Sequence, residues 1–362
     1  MKIATLTFHR ALNYGAVLQT YALQKELIKL GYDTCVLDYR SEFIEKHYER
    51  DHLSKHLSIK GLGAIFLRNG FSKVKREQFE PFLEKFIITS SEKYNDSNIY
   101  EAENKYESFC AGSDQIWNYR TAGFDKVYFL DFVKDPSKKT SYAASIGLVS
   151  IPEEYEEEYR GLLQSFSKIS VREQEGTLLV NKLLNKNCAV TVLDPTLLLA
   201  ADEWEYMEEK VDTPSKYVLV YLLSENRRIL KFAKKLAAEK GCEILYINNQ
   251  LFSVPGMINM RNITPQKWLY LFRNADYVVT NSFHGTAFSI IYNKIFWCEY
   301  LPTSGNVNSR ITTLLGSLGL KDRIISEGCS VRNDSVDYEQ PNKKLSVLRE
   351  KSIEFLKSFS EE

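Results

Sequence analysis

Neither sign of charge dominates this 362-residue chain: Lys+Arg and Asp+Glu both number 47. No global field therefore steers it onto nucleic acid, and no nucleic-acid partner is expected. Cysteine is sparse and unpatterned. The six (Cys35, Cys110, Cys188, Cys242, Cys298 and Cys329) include no C-x-x-C pair. In contexts such as Cys242-Glu-Ile-Leu-Tyr they read as reduced core thiols. No stretch reaches the ~18 apolar residues that a bilayer span needs. The opening Met-Lys-Ile-Ala-Thr-Leu-Thr-Phe is too short, and too polar beyond Phe8, for a secretory signal. A cytoplasmic protein is expected. The chain also lacks G-x-G-x-x-G, a P-loop and G-x-S-x-G, which weakens dinucleotide, nucleotide-hydrolysing and α/β-hydrolase readings. Its five histidines share no metal-ligand spacing with Cys, Asp or Glu, so no metal is expected.

What is present is ordinary in bulk, with 44% hydrophobic and 26% charged residues, the balance of a globular protein. The length suits two domains. Aromatics reach 13%, including 22 Tyr. Such rings suit sugar sites, where a face packs on C–H groups and a hydroxyl bonds to ligand, and they equally suit a core.

The hydrophobic pattern predicts an α/β chain. A strand over Lys2–Phe8, a polar turn and a helix from Gly15 to Leu30 lead through Gly31 to a strand at Asp33–Asp38, a β-α-β opening. A charged helical insertion spans about 43–86. Strands are then expected at Glu107–Ala111, Val127–Phe132, Lys139–Ala144, Lys168–Arg172 and Ala189–Leu193. A second series begins with the apolar run Tyr217–Leu223, a buried parallel strand. It continues through Cys242–Asn248, a helix opened by Thr264-Pro265, Asp276–Thr280, Ile295–Glu299 and a helix over Ser309–Leu318. The boundaries read as 1–205 for a first Rossmann-like domain and 215–335 for a second. A hinge near 200–215 joins them, and a C-terminal helix over 343–362 is placed to pack back on the first.

In parallel sheets, ligands bind beyond the carboxyl ends of the strands, and five polar clusters fall there. Asn13-Tyr14-Gly15, with Gln19 one turn on, follows the first strand; a plain tight turn is the competing reading. Gly112-Ser113-Asp114-Gln115-Ile116-Trp117-Asn118 offers hydroxyl-binding groups and a stacking ring, or simply an Asx-type helix start. Ser141 and Ser145 bracket a small-residue strand end. Arg172, in Ser170-Val171-Arg172-Glu173, presents a fork suited to carboxylate or phosphate, unless an acid pairs with it structurally. Asn281-Ser282-Phe283-His284-Gly285-Thr286 joins a strand to a helix. The helix's positive end favours a neutral His284 able to accept a proton, and Asn281, Ser282 and the amides of Gly285 and Thr286 form an anion cradle. His9 is a secondary candidate.

As an ordered set, these motifs together with Asp194-Pro195 resemble the polysaccharide pyruvyl transferase family across nearly the whole chain. The resemblance implies a GT-B-like fold, two Rossmann-like domains facing across a cleft. It implies transfer of pyruvate from phosphoenolpyruvate onto sugar hydroxyls as a ketal, in cell-surface polysaccharide synthesis and with no cofactor. His284 would be the base, and Arg172 and Arg310 would hold the donor with Asn281, Ser282, Gly285 and Thr286. Asn13, Tyr14, Gly15, Gln19, Ser113, Asp114, Gln115, Trp117, Ser141 and Ser145 would hold a sugar or lipid-linked acceptor. The family often carries Arg two residues before the His; here Ser282 stands there, which removes one donor cation. A GT-B glycosyltransferase using a nucleotide sugar is the alternative. The basic insertion (Lys46, Arg50, Lys55, Lys60, Arg68, Lys73, Lys75, Arg76) reads first as a solvated helical face. Second, it reads as a peripheral contact with a lipid-linked acceptor at the inner face of the membrane.

Overall fold

The computed structural model describes residues 1–44, 59–148, 150–249, 253–302, 308–325 and 335–361, with the side chains of 59–72 left aside. It divides into two compact units, Met1–Leu198 with Lys351–Glu362, and Leu199–Glu350. Each unit is built on a parallel sheet of five strands. In the first these are β1 (Lys2–Leu6), β2 (Asp33–Tyr39), β3 (Thr89–Tyr94), β4 (Ser108–Ala111) and β5 (Lys139–Ser141), in the order β3-β2-β1-β4-β5. Beyond β5, the pair β6 (Ile169–Val171) and β7 (Ala189–Thr191) attaches through single bridges, Thr140–Lys168 and Ala144–Val171. In the second unit β8 (Tyr217–Tyr221), β9 (Glu243–Ile247), β10 (Ile258–Met260), β11 (Tyr277–Thr280) and β12 (Ile295–Cys298) take the order β10-β9-β8-β11-β12. Both units thus repeat one topology, with the strand order reversing between β1 and β4 and between β8 and β11. Two Rossmann-like units in one α/β chain make up the GT-B-like class that the motif set implies.

Local chemistry explains the elements. Helix α1 (Tyr14–Lys29) starts where the Asn13 side chain accepts from the amides of Gly15 and Ala16, two of the donors a helix start leaves unmatched. It is buried on nearly every side, Gln19, Gln24 and Glu26 included. Among the described residues of the insertion, α2 (Ile59–Phe86) is a long helix whose final turns bury Phe79 and Phe82. The basic residues Lys46, Arg50 and Lys55 lie outside the described residues. Helices α3 (Glu153–Leu163) and α4 (Gln174–Leu184) complete the first unit. In the second, α5 (Arg227–Lys240) runs from Asn226 as cap to Gly241 in a left-handed stop, and α6 (Pro265–Asn274) starts at the Thr264 hydroxyl. Then come α7 (Phe283–Ile291), α8 (Ser309–Leu318) and the long α9 (Glu339–Lys357). The end of α9 ties to the first unit: Tyr32 donates to the carbonyls of Leu356 and Lys357, and Leu193 N–H to Ser352 Oγ at 3.0 Å.

Several expectations change. Val127–Phe132 is no strand: Lys126–Phe129 forms a 3₁₀ turn capped by Asp125, with Leu130 left-handed behind it. Its apolar run reflects the burial of Tyr128, Phe129 and Phe132 in an aromatic cluster. Polar β3 escapes pattern reading because an edge strand needs little apolar content. It is guided by Gln24, whose side-chain amide bonds both the N–H and the C=O of Ile88 at 2.9 and 2.8 Å. The expected hinge belongs to the second unit, which begins at Leu199, and within it Trp204 packs edge-on against Phe288 at 5.0 Å. Of the described thiols, Cys110 and Cys298 are core and burial pushes each up to about 12, while Cys242 is only half-buried. Among the described residues no helix is long and apolar enough to cross a membrane.

Gly112, directly after β4, has φ +138°, and a Cβ there would lie 2.0 Å from the Tyr142 carbonyl oxygen. Gly112→Ala is expected to lower unfolding free energy by more than about 2 kcal/mol, read by urea denaturation.

Candidate functional site

Ligands of open parallel sheets sit where the strand order reverses. In the first unit that point is closed by a polar network. Thr7 Oγ1 donates to Ser113 O at 2.8 Å, Gln19 Nε2 to Thr7 Oγ1 at 2.9 Å, and Ser113 N–H to Gln19 Oε1 at 3.2 Å. Ser113 Oγ reaches Ala143 O at 2.9 Å. The loops after β4 and β5 that it joins each contain a non-glycine residue in left-handed conformation, Asp114 (φ 73°) and Ala143 (φ 49°). Such backbone persists only where surroundings over-determine it.

Beside it, Arg172 Nη1 donates to Asp194 Oδ2 at 2.5 Å and Nη2 to Asp114 Oδ1 at 3.1 Å. Arg172 and Asp194 are 1% and 0% exposed in their side chains and Asp114 16%. Burial works against the Arg172 charge, but the fields of Asp194, Asp114 and Glu173 outweigh it and raise its pKa. Asp194 also caps a 3₁₀ turn, accepting from the Thr196 amide and hydroxyl at 2.9 and 2.6 Å. Next along the chain, buried Glu173 Oε1 accepts from Ser145 Oγ and from the amides of Ile146 and Gly147, at 3.0, 2.9 and 2.9 Å.

Much of the expected acceptor list is therefore engaged in contacts within the protein. Trp117 is fully buried, stacked on Phe129 at 5.6 Å, with its N–H donated to Tyr128 O; the core needs its ring. Tyr14 packs on Phe79 at 5.0 Å, Gly15 lies inside α1, Asn13 caps that helix, and Gln19, Ser113, Ser141 and Ser145 bond within the protein. Asp114 and Gln115 keep partial exposure. Arg172, expected on the donor, is a buried strut that fixes Asp114.

One cluster the motifs did not yield lies at the carboxyl end of β2. Asp38 accepts from Arg10 Nε at 2.7 Å, Arg40 Nε at 2.8 Å and faces His9 Nε2 at 3.2 Å. Burial opposes its ionisation, yet the hydrogen bonds from His9, Arg10 and Arg40 prevail and hold its carboxyl well below the usual range. His9, the secondary candidate, lies in it; for the rest, only the alternation of acid and arginine in Asp38-Tyr39-Arg40, at a strand end, is a signal.

In the second unit Asn281 joins the loops after β8 and β11. Its Oδ1 accepts from Leu223 N–H at 2.8 Å and its Nδ2 donates to Ser224 O at 2.6 Å. Ser282 caps α7 by accepting from Gly285 N–H at 3.3 Å, and its carbonyl takes the Thr286 amide and hydroxyl at 2.9 and 3.0 Å. The expected anion cradle is thus occupied from within. Asn281, Ser282, Gly285 and Thr286 shape the turn that carries His284. Gly285 is required there, since a Cβ would meet Thr280 Oγ1 at 2.4 Å. His284, 7% exposed, lies in the first turn of α7 with its ring edge-on to Phe283, centroids 5.1 Å apart. Arg310, in the first turn of α8, sets its guanidinium 5.7 Å from the same Phe283 ring. The structure therefore brings His284 and Arg310 to one aromatic side chain. After β12, fully buried Glu299 accepts from Asn226 Nδ2 and Arg228 Nε, residues that no motif marked.

Comparison with known proteins adds the following. The family model for polysaccharide pyruvyl transferase matches residues 13–298, most of the chain. No curated protein sequence matches. Similar solved structures include a UDP-GlcNAc 2-epimerase from Methanocaldococcus jannaschii, at 12% identity and TM-score 0.48, with 96% of this chain and 93% of that one covered. Another is the UDP-GlcNAc 2-epimerase from Neisseria meningitidis bound to UDP-GlcNAc, at 11% identity and TM-score 0.47, covering 100% and 95%.

Removing the Arg172 charge leaves Asp194 buried without its cation. Arg172→Met is expected to lose about 3–5 kcal/mol of stability in urea denaturation, with Arg172→Met/Asp194→Asn recovering much of the loss.

Proposed function

The chain belongs to the polysaccharide pyruvyl transferase family, and from that membership we propose that it forms a pyruvate ketal on a sugar with phosphoenolpyruvate as donor. The observation that carries the reading is the junction of β11 and α7. There a Ser282-capped turn of buried residues presents His284, with Arg310 on the neighbouring Phe283 ring.

The chemistry asks for few groups. A sugar hydroxyl oxygen bonds to C2 of the donor while the donor's methylene carbon takes up a proton and becomes a methyl. A second hydroxyl of the same sugar then displaces phosphate at C2 and closes the ketal. Two hydroxyl protons are given up; one is balanced by the methyl C–H and one leaves on phosphate. His284 serves as the base that receives a hydroxyl proton, a role typically worth about 10²–10⁴ in rate. Arg310 offers charge to the donor's carboxylate or phosphate. On the acceptor side, partly exposed Asp114 and Gln115 suit hydroxyl recognition, with Arg172 holding the Asp114 carboxylate in place. The acceptor is read as a cell-surface polysaccharide unit or its lipid-linked precursor, modified on the cytoplasmic side of the membrane. No cofactor enters this reading.

Calorimetric titration with phosphoenolpyruvate, and separately with UDP and GDP, tests the donor. Saturable binding of phosphoenolpyruvate alone is expected. Binding of a nucleotide alone would replace this reading with a nucleotide-sugar glycosyltransferase. His284→Gln is expected to retain phosphoenolpyruvate binding while acceptor-dependent phosphate release falls by about 10²-fold or more.

A further inference from the structure

Arg228 is placed by three features of the second unit. First, it occupies the initial turn of α5, which begins directly after the β8 loop at the reversal of strand order. Asn281 hydrogen-bonds that loop to the turn carrying His284. Glu299, after β12, donates its amide to Thr280 O at 3.0 Å and accepts from both Asn226 and Arg228. Three carboxyl-end loops thus meet around this side chain. Second, the tether is one-sided. Glu299 is fully buried and takes the Arg228 Nε, whereas the Arg228 side chain is 51% exposed. Among the described residues Glu299 is its one hydrogen-bonding and ion-pairing partner, which leaves the two terminal amino groups without a partner among those residues. Third, the placement is electrostatically unfavourable. A cation in a first helical turn meets the positive end of the helix dipole, at about 0.3–1 kcal/mol, and Arg227 beside it adds to the repulsion. A buried carboxylate that holds an arginine there pre-organises a guanidinium fork for an incoming oxyanion.

We propose that Arg228, positioned by Glu299, is a donor-binding residue that grips the carboxylate or phosphate of an anionic donor. It supplies the positive charge that Ser282 does not. This rests on the donor reading above. The terminal amino groups give two charge-assisted hydrogen bonds, and their loss weakens donor binding by about tenfold or more.

The test is calorimetric titration of the full chain, of Arg228→Gln, of Glu299→Gln and of Lys231→Gln, with phosphoenolpyruvate and with UDP, alongside thermal midpoints. Arg228→Gln is expected to raise the phosphoenolpyruvate Kd at least about tenfold. Glu299→Gln, which frees the fork without removing its charge, should raise it by a smaller factor. Lys231→Gln, on the same helix and exposed, should leave it unchanged. Phosphoenolpyruvate bound equally by the wild type and Arg228→Gln, with only the midpoint lowered, would overturn the assignment and leave the donor reading intact. UDP bound in its place and weakened by Arg228→Gln would keep the anion site and overturn the donor. Failure of the wild type to bind either anion would overturn both.

Discussion

Asp194 and Glu299 are buried carboxylates, and in each unit loops at strand carboxyl ends are arranged around one of them. A buried charge is tolerated only when paired and hydrogen-bonded. Asp194 secures this from Arg172 and the Thr196 amide and hydroxyl; Glu299 secures it from Asn226 and Arg228. Each carboxylate therefore fixes an arginine at a loop that would otherwise be free to rearrange. The consequences differ. Arg172 is swallowed by its acids and transmits order to Asp114, whereas Arg228 keeps half its surface in water and its charge available.

Repetition of one topology makes this parallel physically sensible. In both units the reversal of strand order leaves two loops diverging from adjacent strands, and in both an amide side chain stitches them. Gln19 does so through Thr7 and Ser113, and Asn281 through Leu223 and Ser224. An amide suits the task because it donates and accepts at once, satisfying backbone groups that diverging strands leave unmatched. Rigid loops of this kind are what a transfer reaction needs, since misplacing a reacting group by about 1 Å can cost ~10² in rate.

Much of the architecture was legible in the sequence because it follows from patterns that burial imposes. Tyr217–Leu223 reads as a buried parallel strand from its unbroken apolar run, and the strand forms over Tyr217–Tyr221; Thr264-Pro265 and Gly241 mark helix ends by backbone chemistry alone. Legibility failed where the signal was not apolar or not local. β3 is polar and takes its place from Gln24, which is distant in sequence. The aromatic run at Val127–Phe132 follows burial without strand geometry. At the candidate site, the motifs marked loops at the carboxyl ends of strands but blurred roles within them. Residues such as Trp117, Ser141, Ser282 and Thr286 are held by packing or by bonds within the protein, and a motif does not separate building from binding. Arg228 escaped because its meaning depends on Glu299, which pairing of β11 with β12 brings near.

Pyruvate transfer from phosphoenolpyruvate leaves a mark that no glycosyl transfer can imitate, because the donor's methylene must become a methyl by taking one proton from solvent. The decisive measurement is mass spectrometry of products formed in deuterium oxide, with phosphoenolpyruvate and a panel of glycosides bearing adjacent or 1,3-related hydroxyl pairs. The prediction is a sugar carrying a carboxyethylidene ketal with one deuterium in its methyl, and one phosphate released for each. A sugar extended by a glycosyl unit when a nucleotide sugar is supplied instead, with no product from phosphoenolpyruvate, would contradict it.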